Sequence, residues 1–448
     1  MTAERPQTVT ATMSPESSPS EAAGTRPDRD ADSTAPTLLS VAGPTYFPIA
    51  LVARLPFAMM VVGVLTLVVA GRDSLAFAGL SSAMVGIGSA AVGPLVGAAA
   101  DRFGQRRAVL AAGIVNSLAL LLMAWVVFSP LPGWTILGAA ALVGASAPQV
   151  GPMSRSRVVT MITTKLPEGR RGRTLLSMMA YESAADEVIF VFGPVIVGLL
   201  ATTMSPAAPM VGAAVLTVLF VGAFALHPTG RATEQHAAGT IEQAPARELL
   251  NPALITVVAG VFGVGLFFGS TLTGLTAFMR DTGNAESAGL FYGVMGVGSA
   301  ALALGSALLP EAFTLAARWV AFSLAMVAGA TLIALAPSLP WLVAGLAVAG
   351  IGVGPTLVTE FSLGAARSPR GRSATVMTIL GSAIILGQSL ASAVNGELAE
   401  RFGTGVAQCT PLIATLIVLS AGLVNAALTR RQSTAAAGTG DQPGPFAT

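Results

Sequence analysis

Gly97-Ala98-Ala99-Ala100-Asp101-Arg102-Phe103-Gly104-Gln105-Arg106-Arg107 is a short charged stretch between two long apolar ones, and its reading decides the fold. A chain that reverses direction at a membrane surface needs a tight turn, and Gly104 supplies the backbone freedom for one. Asp101 falls where a helix ends and needs partners there. The arginines Arg102, Arg106 and Arg107 hold this end on the cytoplasmic side.

Working outward, the flanks read as membrane-spanning helices, each of which needs about 20 mostly apolar residues. The whole chain offers twelve such stretches: 46–69, 75–99, 107–128, 134–156, 174–200, 206–226, 251–278, 287–309, 314–336, 338–361, 374–398 and 406–428. These are spans 1 to 12. A polar linker, 227–250, separates six from six, and Pro228, Gly230, Gly239 and Pro245 break regular structure in it. Residues 1–44 and 429–448 read as disordered tails, the first rich in Pro, Ser, Thr, Asp and Glu. The expected organisation is therefore a tail (1–44), a six-helix bundle (45–226), the linker (227–250), a second six-helix bundle (251–428) and a tail (429–448). Arginine and lysine mark one side. Arg102, Arg106 and Arg107 are followed two loops on by Lys165, Arg170, Arg171 and Arg173. Arg231 and Arg247 lie in the linker, with Arg367, Arg370, Arg372, Arg430 and Arg431 beyond it. The other side holds Arg72, Arg280 and Arg401. Both termini are expected in the cytoplasm, with the chain in a cell membrane, and the arginine-rich, lysine-poor usage fits a bacterial inner membrane.

Composition closes off other classes. Apolar residues make up 53% of the chain, charged residues 10%, and mean hydropathy is +0.74. A soluble domain carries about 25% charged residues. The net charge of +2 is spread over loops and tails and forms no basic face for nucleic acid. Cys409 is the single cysteine, which excludes an internal disulfide or a cysteine metal cluster. The two histidines, His227 and His236, both fall in the linker, so no metal or cofactor is expected. A nucleotide-binding loop of the Gly-x-x-x-x-Gly-Lys type is absent, which argues against direct ATP use.

The 97–107 stretch resembles the loop signature of the major facilitator superfamily. That signature joins spans 2 and 3 and runs Gly, three residues, Asp, Arg, any residue, Gly, then basic residues. Gly97, Asp101, Arg102, Gly104, Arg106 and Arg107 match it, and Gln105 departs from it. The resemblance implies an all-α membrane protein of two six-helix bundles, working by alternating access as a monomer. It also implies that Asp101 and Arg102 bridge to the other bundle and stabilise the outward-facing state. In span 5, Gly193-Pro194-Val195-Ile196-Val197-Gly198 is similar to the end of the family's antiporter motif. Gly193, Pro194 and Gly198 match, Val197 stands in for a glycine, and a helix kink at Pro194 is the alternative reading.

The halves also resemble one another. Gly86-Ile87-Gly88-Ser89-Ala90-Ala91 in span 2 matches Gly296-Val297-Gly298-Ser299-Ala300-Ala301 in span 8, offset by 210 residues. The same offset sets Asp101 on Glu311. Parallel repeats of this kind mark one class of secondary transporter.

Ionisable residues inside a span are costly and face the interior. Span 5 carries Glu182, Asp186 and Glu187, of which Glu182 and Asp186 share one helical face. Arg54 in span 1 and Arg155 at the end of span 4 are candidate charge partners. Two roles stand open: one of the acids carries a proton during transport, or the acids and arginines form a fixed ion-pair network. Glu360, without an evident partner, is expected at the interfacial end of span 10. Asn116, Gln149, Tyr181, Thr271, Thr273, Tyr292, Gln388 and Asn395 are expected mostly to hydrogen-bond between helices. So sparse a polar set suits a hydrophobic or amphipathic solute. The expected function is secondary active transport, proton-coupled export of a small solute. A proton-coupled uptake symporter is the alternative, with a membrane sensor or a membrane-embedded enzyme behind it.

Overall fold

The computed structural model describes residue 2 and residues 37–230, 243–283, 288–310 and 312–439. The described residues contain twelve helical segments long and apolar enough to cross a membrane. Span 1 is made of α2 (Tyr46–Val52) and α3 (Leu55–Arg72), preceded by the short α1 (Leu38–Ala42). Spans 2 and 3 are α4 (Leu75–Phe103) and α5 (Gln105–Val126). Span 4 is α6 (Gly133–Ala145) followed by α7 (Val150–Lys165), and span 5 is α8 (Glu168–Thr203). Span 6 comprises α9 (Ala208–Leu216), a π-helical turn at Thr217–Val221 and α10 (Gly222–Leu226). The second half holds α11 (Pro252–Asp281), α12 (Ala288–Gly305), α13 (Leu315–Ala334), α14 (Leu339–Ala366), α15 (Ser373–Phe402) and α16 (Thr404–Thr439).

Three differences from the sequence expectation have local causes. Thr37 caps α1 through a reciprocal pair with Ser40, and Leu38 and Ala42 are buried, so ordered structure starts before residue 45. The last helix continues past 428 to Thr439, because its alanine-rich end favours helix over coil. Span 4 runs nine residues beyond 156 and is broken in the middle. The break at residues 146–149 contains Pro148, and Gln149 takes a left-handed backbone with φ 49°. Glu311, set opposite Asp101 by the repeat, lies outside the described residues.

Small residues set how closely the helices approach, since lipid supplies no hydrophobic drive between them. A side chain on Gly88 would collide with the backbone of α6 at Ala141 and Ala145. Gly265 and Gly269 of α11 lie directly on the backbone of Ile384 and Gln388 of α15, and Gly387 returns the contact against Phe262. No side chain separates α11 from α15 along this seam. Between the halves, α4 packs on α15 and α8 packs on α12. The two contacts exchange equivalent helices, as a two-fold related pair of bundles requires.

The buried core shows where the halves are joined. One apolar cluster takes in Ala50, Met153, Val158 and Met179 of the first bundle together with Val261, Phe361 and Leu380 of the second. These residues lie toward the arginine-rich end. Another cluster, around Val64, Leu67, Met123, Ile136 and Met210, belongs to the first bundle alone.

Candidate functional site

Arg54 sits at the break in span 1, between α2 and α3, where Pro56 starts the new helix and excludes continuation of the old one. Its guanidinium is buried and turned toward α8. Nη2 donates to Glu182 Oε2, and Nη1 donates to Asp186 Oδ1 at 3.1 Å and to the Glu182 carbonyl at 3.3 Å. Arg155, on the first turns of α7, donates from Nη2 to Asp186 Oδ2 at 2.8 Å. Glu182 also accepts from Ser154 Oγ at 2.8 Å, and Tyr46 shares a hydrogen bond with that hydroxyl at 2.9 Å. The structure therefore brings together Arg54, Arg155, Glu182 and Asp186. The side chain of Glu187 lies outside the described set. Among the described groups two arginines meet two carboxylates, so the excess of acid read from the sequence is not seen in this cluster.

The two carboxylates differ in surroundings. Glu182 is fully enclosed, whereas the Asp186 side chain is 30% exposed and lines a cavity. Asp186 also stands beside Gly151, where a Cβ would come 3.4 Å from Oδ1. That places it against the first turn of α7, whose unpaired N–H groups favour an anion. The broken backbones of spans 1 and 4 thus bracket one site. Irregular backbone at membrane depth is tolerated where it lines a cavity.

The cavity has an interior of about 100 Å³ and lies between the bundles. Phe57, Ile189 and Phe190 come from the first half, and Phe361, Ile384 and Ile385 from the second. At about 30 Å³ per water it has room for a few waters in this conformation, well short of the 300–1,000 Å³ typical of drug-sized ligand sites. Phe361 is the bridge: the Arg155 guanidinium lies 4.0 Å from its ring centroid, a cation–π contact across the two halves.

One end is closed by Asp101. Its carboxylate accepts from Ala374 N at 3.0 Å, Thr375 N at 2.7 Å and Thr375 Oγ1 at 2.6 Å. It thus caps the N-terminus of α15 from the opposite bundle, an anion on the positive end of a helix. Gly97 lets α4 approach, since a Cβ there would lie 2.8 Å from the Ala374 carbonyl and 3.0 Å from Thr375 Cα. Gly104 has φ 90° and makes the turn into α5. Arg102 is exposed, its guanidinium 5.3 Å from the Phe103 ring, while the contacts to α15 are made by the Asp101 carboxylate, so the bridge rests on Asp101. Arg106 and Arg107 are also exposed. The described part of the linker joins the closure. Gln243 Nε2 donates to the Asp101 carbonyl at 2.7 Å, and Ala244 N donates to the Arg370 carbonyl at 3.1 Å. Gln105, the departure from the signature, is buried and accepts from Arg157 Nε at 3.1 Å. Arg157 also donates to the Phe224 carbonyl and stacks on that ring, tying the start of α5 to α7 and α10. His227 sits beside this group. Burial, helped by the nearby Arg157 charge, holds its pKa below the ordinary value.

In span 5, α8 continues as helix through Pro194. Gly193 packs on Ala58 of α3, Val197 is buried, and Gly198 faces open space. Among the neutral polar residues, three bridge helices. Asn116 donates to the Val143 carbonyl at 2.8 Å, Gln149 to Ser89 at 3.0 Å and Asn395 to the Ser270 carbonyl at 2.8 Å. Glu360 lies in the last two turns of α14 and is fully enclosed, because α11 and α13 close over its face. Sequence reasoning placed it near the helix end by counting residues. It missed Phe361 and Gln149 as cavity residues, since neither carries a charge that marks it.

A sequence profile of the Major Facilitator Superfamily matches residues 46–311. No curated protein matches the chain. Among solved structures, a bacterial homologue of the iron transporter ferroportin in an outward-facing state aligns with a TM-score of 0.66 at 14% identity, covering 85% of this chain and 98% of that one. The human organic anion transporter MFSD10 aligns with a TM-score of 0.60 at 18% identity, covering 84% and 99%. The proton:xylose symporter XylE aligns with a TM-score of 0.62 at 14% identity, covering 85% and 95%. At these identities the likeness is one of fold.

Proposed function

Because this chain belongs to the Major Facilitator Superfamily, a family of multi-pass membrane transporters and not of enzymes, we propose that it is a proton-coupled exporter of a small hydrophobic or amphipathic solute. The observation that carries this reading is Asp186: a carboxylate shared by two arginines and open to an apolar cavity between the bundles. Asp186 is the acid of the network that faces the cavity, whereas Glu182, sealed behind it, serves to fix Arg54. Protonating Asp186 removes the charge that holds Arg155. Arg155 then loosens its contact with Phe361 of the opposite half, and the bundles part at this level. The arginine-rich end is closed here by Asp101, which fits a site accessible from the other side. The outward-facing state of the ferroportin homologue, a structural neighbour, supports the same reading. With that end cytoplasmic, the solute enters from the cytoplasm when the Asp101 contact opens and leaves outside when it re-forms. The cell membrane of a bacterium, a monomeric unit and no cofactor complete the proposal.

The test uses purified protein in proteoliposomes with an imposed pH gradient and a lipophilic fluorescent dye as solute. The wild type should accumulate dye against its gradient. Asp186→Asn should lose pH-driven accumulation yet keep downhill dye exchange. Full pH-driven accumulation by Asp186→Asn would refute its role, and accumulation only in the uptake orientation would establish the symporter instead.

A further inference from the structure

Glu360 of α14 has no solvent exposure, and neither of its carboxylate oxygens has a hydrogen-bond partner. The fold has made room for it. A Cβ on Gly260 of α11 would run against Glu360 Oε1 and the Trp319 ring of α13, so only glycine leaves space for the acid between these helices. One turn earlier on the same face, the Thr356 hydroxyl is equally buried and also lacks a partner.

No described cation answers the acid from the helices around it. In α11 the charges, Arg280 and Asp281, stand at the far end, and α12 contains none. In α13, Arg318 precedes Trp319 but is committed to the carbonyls of Phe313, Ser306, Leu309 and Pro310. In α15, Glu397, Glu400 and Arg401 lie at the end remote from Thr375. In α8, Glu182 and Asp186 are held by Arg54 and Arg155, and Arg155 meets α14 through Phe361. Arg367, two turns beyond Glu360, donates to the Ala253 carbonyl and to Asn425 of α16. Arg430 and Arg431 lie near the end of α16.

An ionised carboxylate enclosed without a cation or a donor costs several kcal/mol, and such a group neutralises instead. We propose that Glu360 holds a proton in this conformation and forms a second proton-binding site, in the C-terminal bundle and separate from the α8 network. It deepens the transport reading and rests on it for one part only: the release of the proton during the cycle. The neighbouring Phe361 is the cross-bundle contact, so parting of the bundles frees α14 on that side and admits water toward Glu360. The step makes and breaks one O–H bond. The proton passes from the acid to water on the opening side and is replaced from water on the other.

Infrared difference spectroscopy on the full chain in lipid nanodiscs tests the site without any solute. The wild type at neutral pH should show a protonated-carboxyl stretch that is lost in Glu360→Gln and kept in Asp186→Asn. Glu360→Met, which removes both oxygens at similar volume, serves equally should the glutamine variant fold poorly. Persistence of the band in both Glu360 variants, or its absence from the wild type, overturns the proton site. Loss of the band on adding sodium at fixed pH overturns it in favour of a metal-cation site. In proteoliposomes, Glu360→Gln should lose the pH dependence of dye accumulation, and a wild-type pH profile in that variant overturns release during the cycle. If the wild type moves no dye at all, the transport reading fails while the spectrum still decides the site.

Discussion

Asp101 and Glu182 are both carboxylates that accept hydrogen bonds in the interior, yet their loss should look different. Asp101 accepts its bonds across the bundles, from the first N–H groups of α15. Asp101→Asn takes the negative charge off the N-terminus of α15, worth about 1 kcal/mol, roughly a fivefold shift away from the closed arginine-rich end. The variant should accumulate normally in the membrane but transport slowly. Its Thr375→Cys derivative, made in a Cys409→Ala background, should label faster than the same cysteine with Asp101 intact, and equal labelling would remove the latch. Glu182 accepts its bonds within one bundle, from Arg54 and Ser154. Glu182→Gln leaves a buried arginine short of a counter-charge, at a cost of about 3–5 kcal/mol. Folded yield should fall steeply and recover in part when Arg54→Met is added, as size-exclusion profiles will show. Asp186→Asn, at the cavity edge where the acid is 30% exposed and Arg54 still keeps Glu182, should lose much less. The sequence offered Arg54 and Arg155 as charge partners for the acids of span 5. It did not show which acid is sealed and which is wet, since that depends on the break at Arg54 and on Ser154, 28 residues from Glu182.

At the scale of elements, the twelve spans were legible because each must satisfy its own backbone over about 20 residues, which leaves an apolar run in the sequence. The breaks in spans 1 and 4 were not resolved. Pro56 and Pro148 were available as signals, but whether a proline breaks a helix depends on its neighbours, and α8 runs on through Pro194. The partner of Asp101 was equally hidden: a helix N-terminus 273 residues away presents only backbone, with no residue type to look for. Glycine positions now separate contact from permissiveness. Gly97→Ala sets a Cβ 2.8 Å from the Ala374 carbonyl, and overpacking of this kind costs about 1–3 kcal/mol. It should hold the arginine-rich end open, read as faster labelling of Thr375→Cys in the Cys409→Ala background. Gly198→Ala meets nothing within 4 Å and should be neutral or raise thermal stability by up to about 1 kcal/mol, the helix-propensity gain. Equal effects from the two substitutions would show that the α4–α15 contact does not limit closure.

For the whole molecule, the arginine asymmetry predicts the side on which that closed end lies. In a Cys409→Ala background, single cysteines at Gln235 in the linker and at Ser205 in the exposed α8–α9 turn should react with an impermeant thiol reagent from opposite sides of the membrane, Ser205→Cys from outside. Labelling of both from outside would invert or discard the topology. The two-bundle plan was readable from the six-linker-six pattern and the Gly-x-Gly repeat. The way the halves touch was not, because α4–α15 and α8–α12 are matched by shape and not by residue type. The glycine seam between α11 and α15 has a mechanical consequence. With backbone against backbone at Gly265, Gly269 and Gly387, the two helices are in close contact over a long seam, and moving together they form one stiff spar. A 30-residue helix such as α15 is about 45 Å long. Asp101 grips that spar at its very tip. If the fulcrum lies near the seam, a few ångströms of travel at Thr375 become a similar travel in the opposite sense at Arg401. The two mouths of the protein then need no message between them, because the leverage of a rigid beam forbids both from gaping at once.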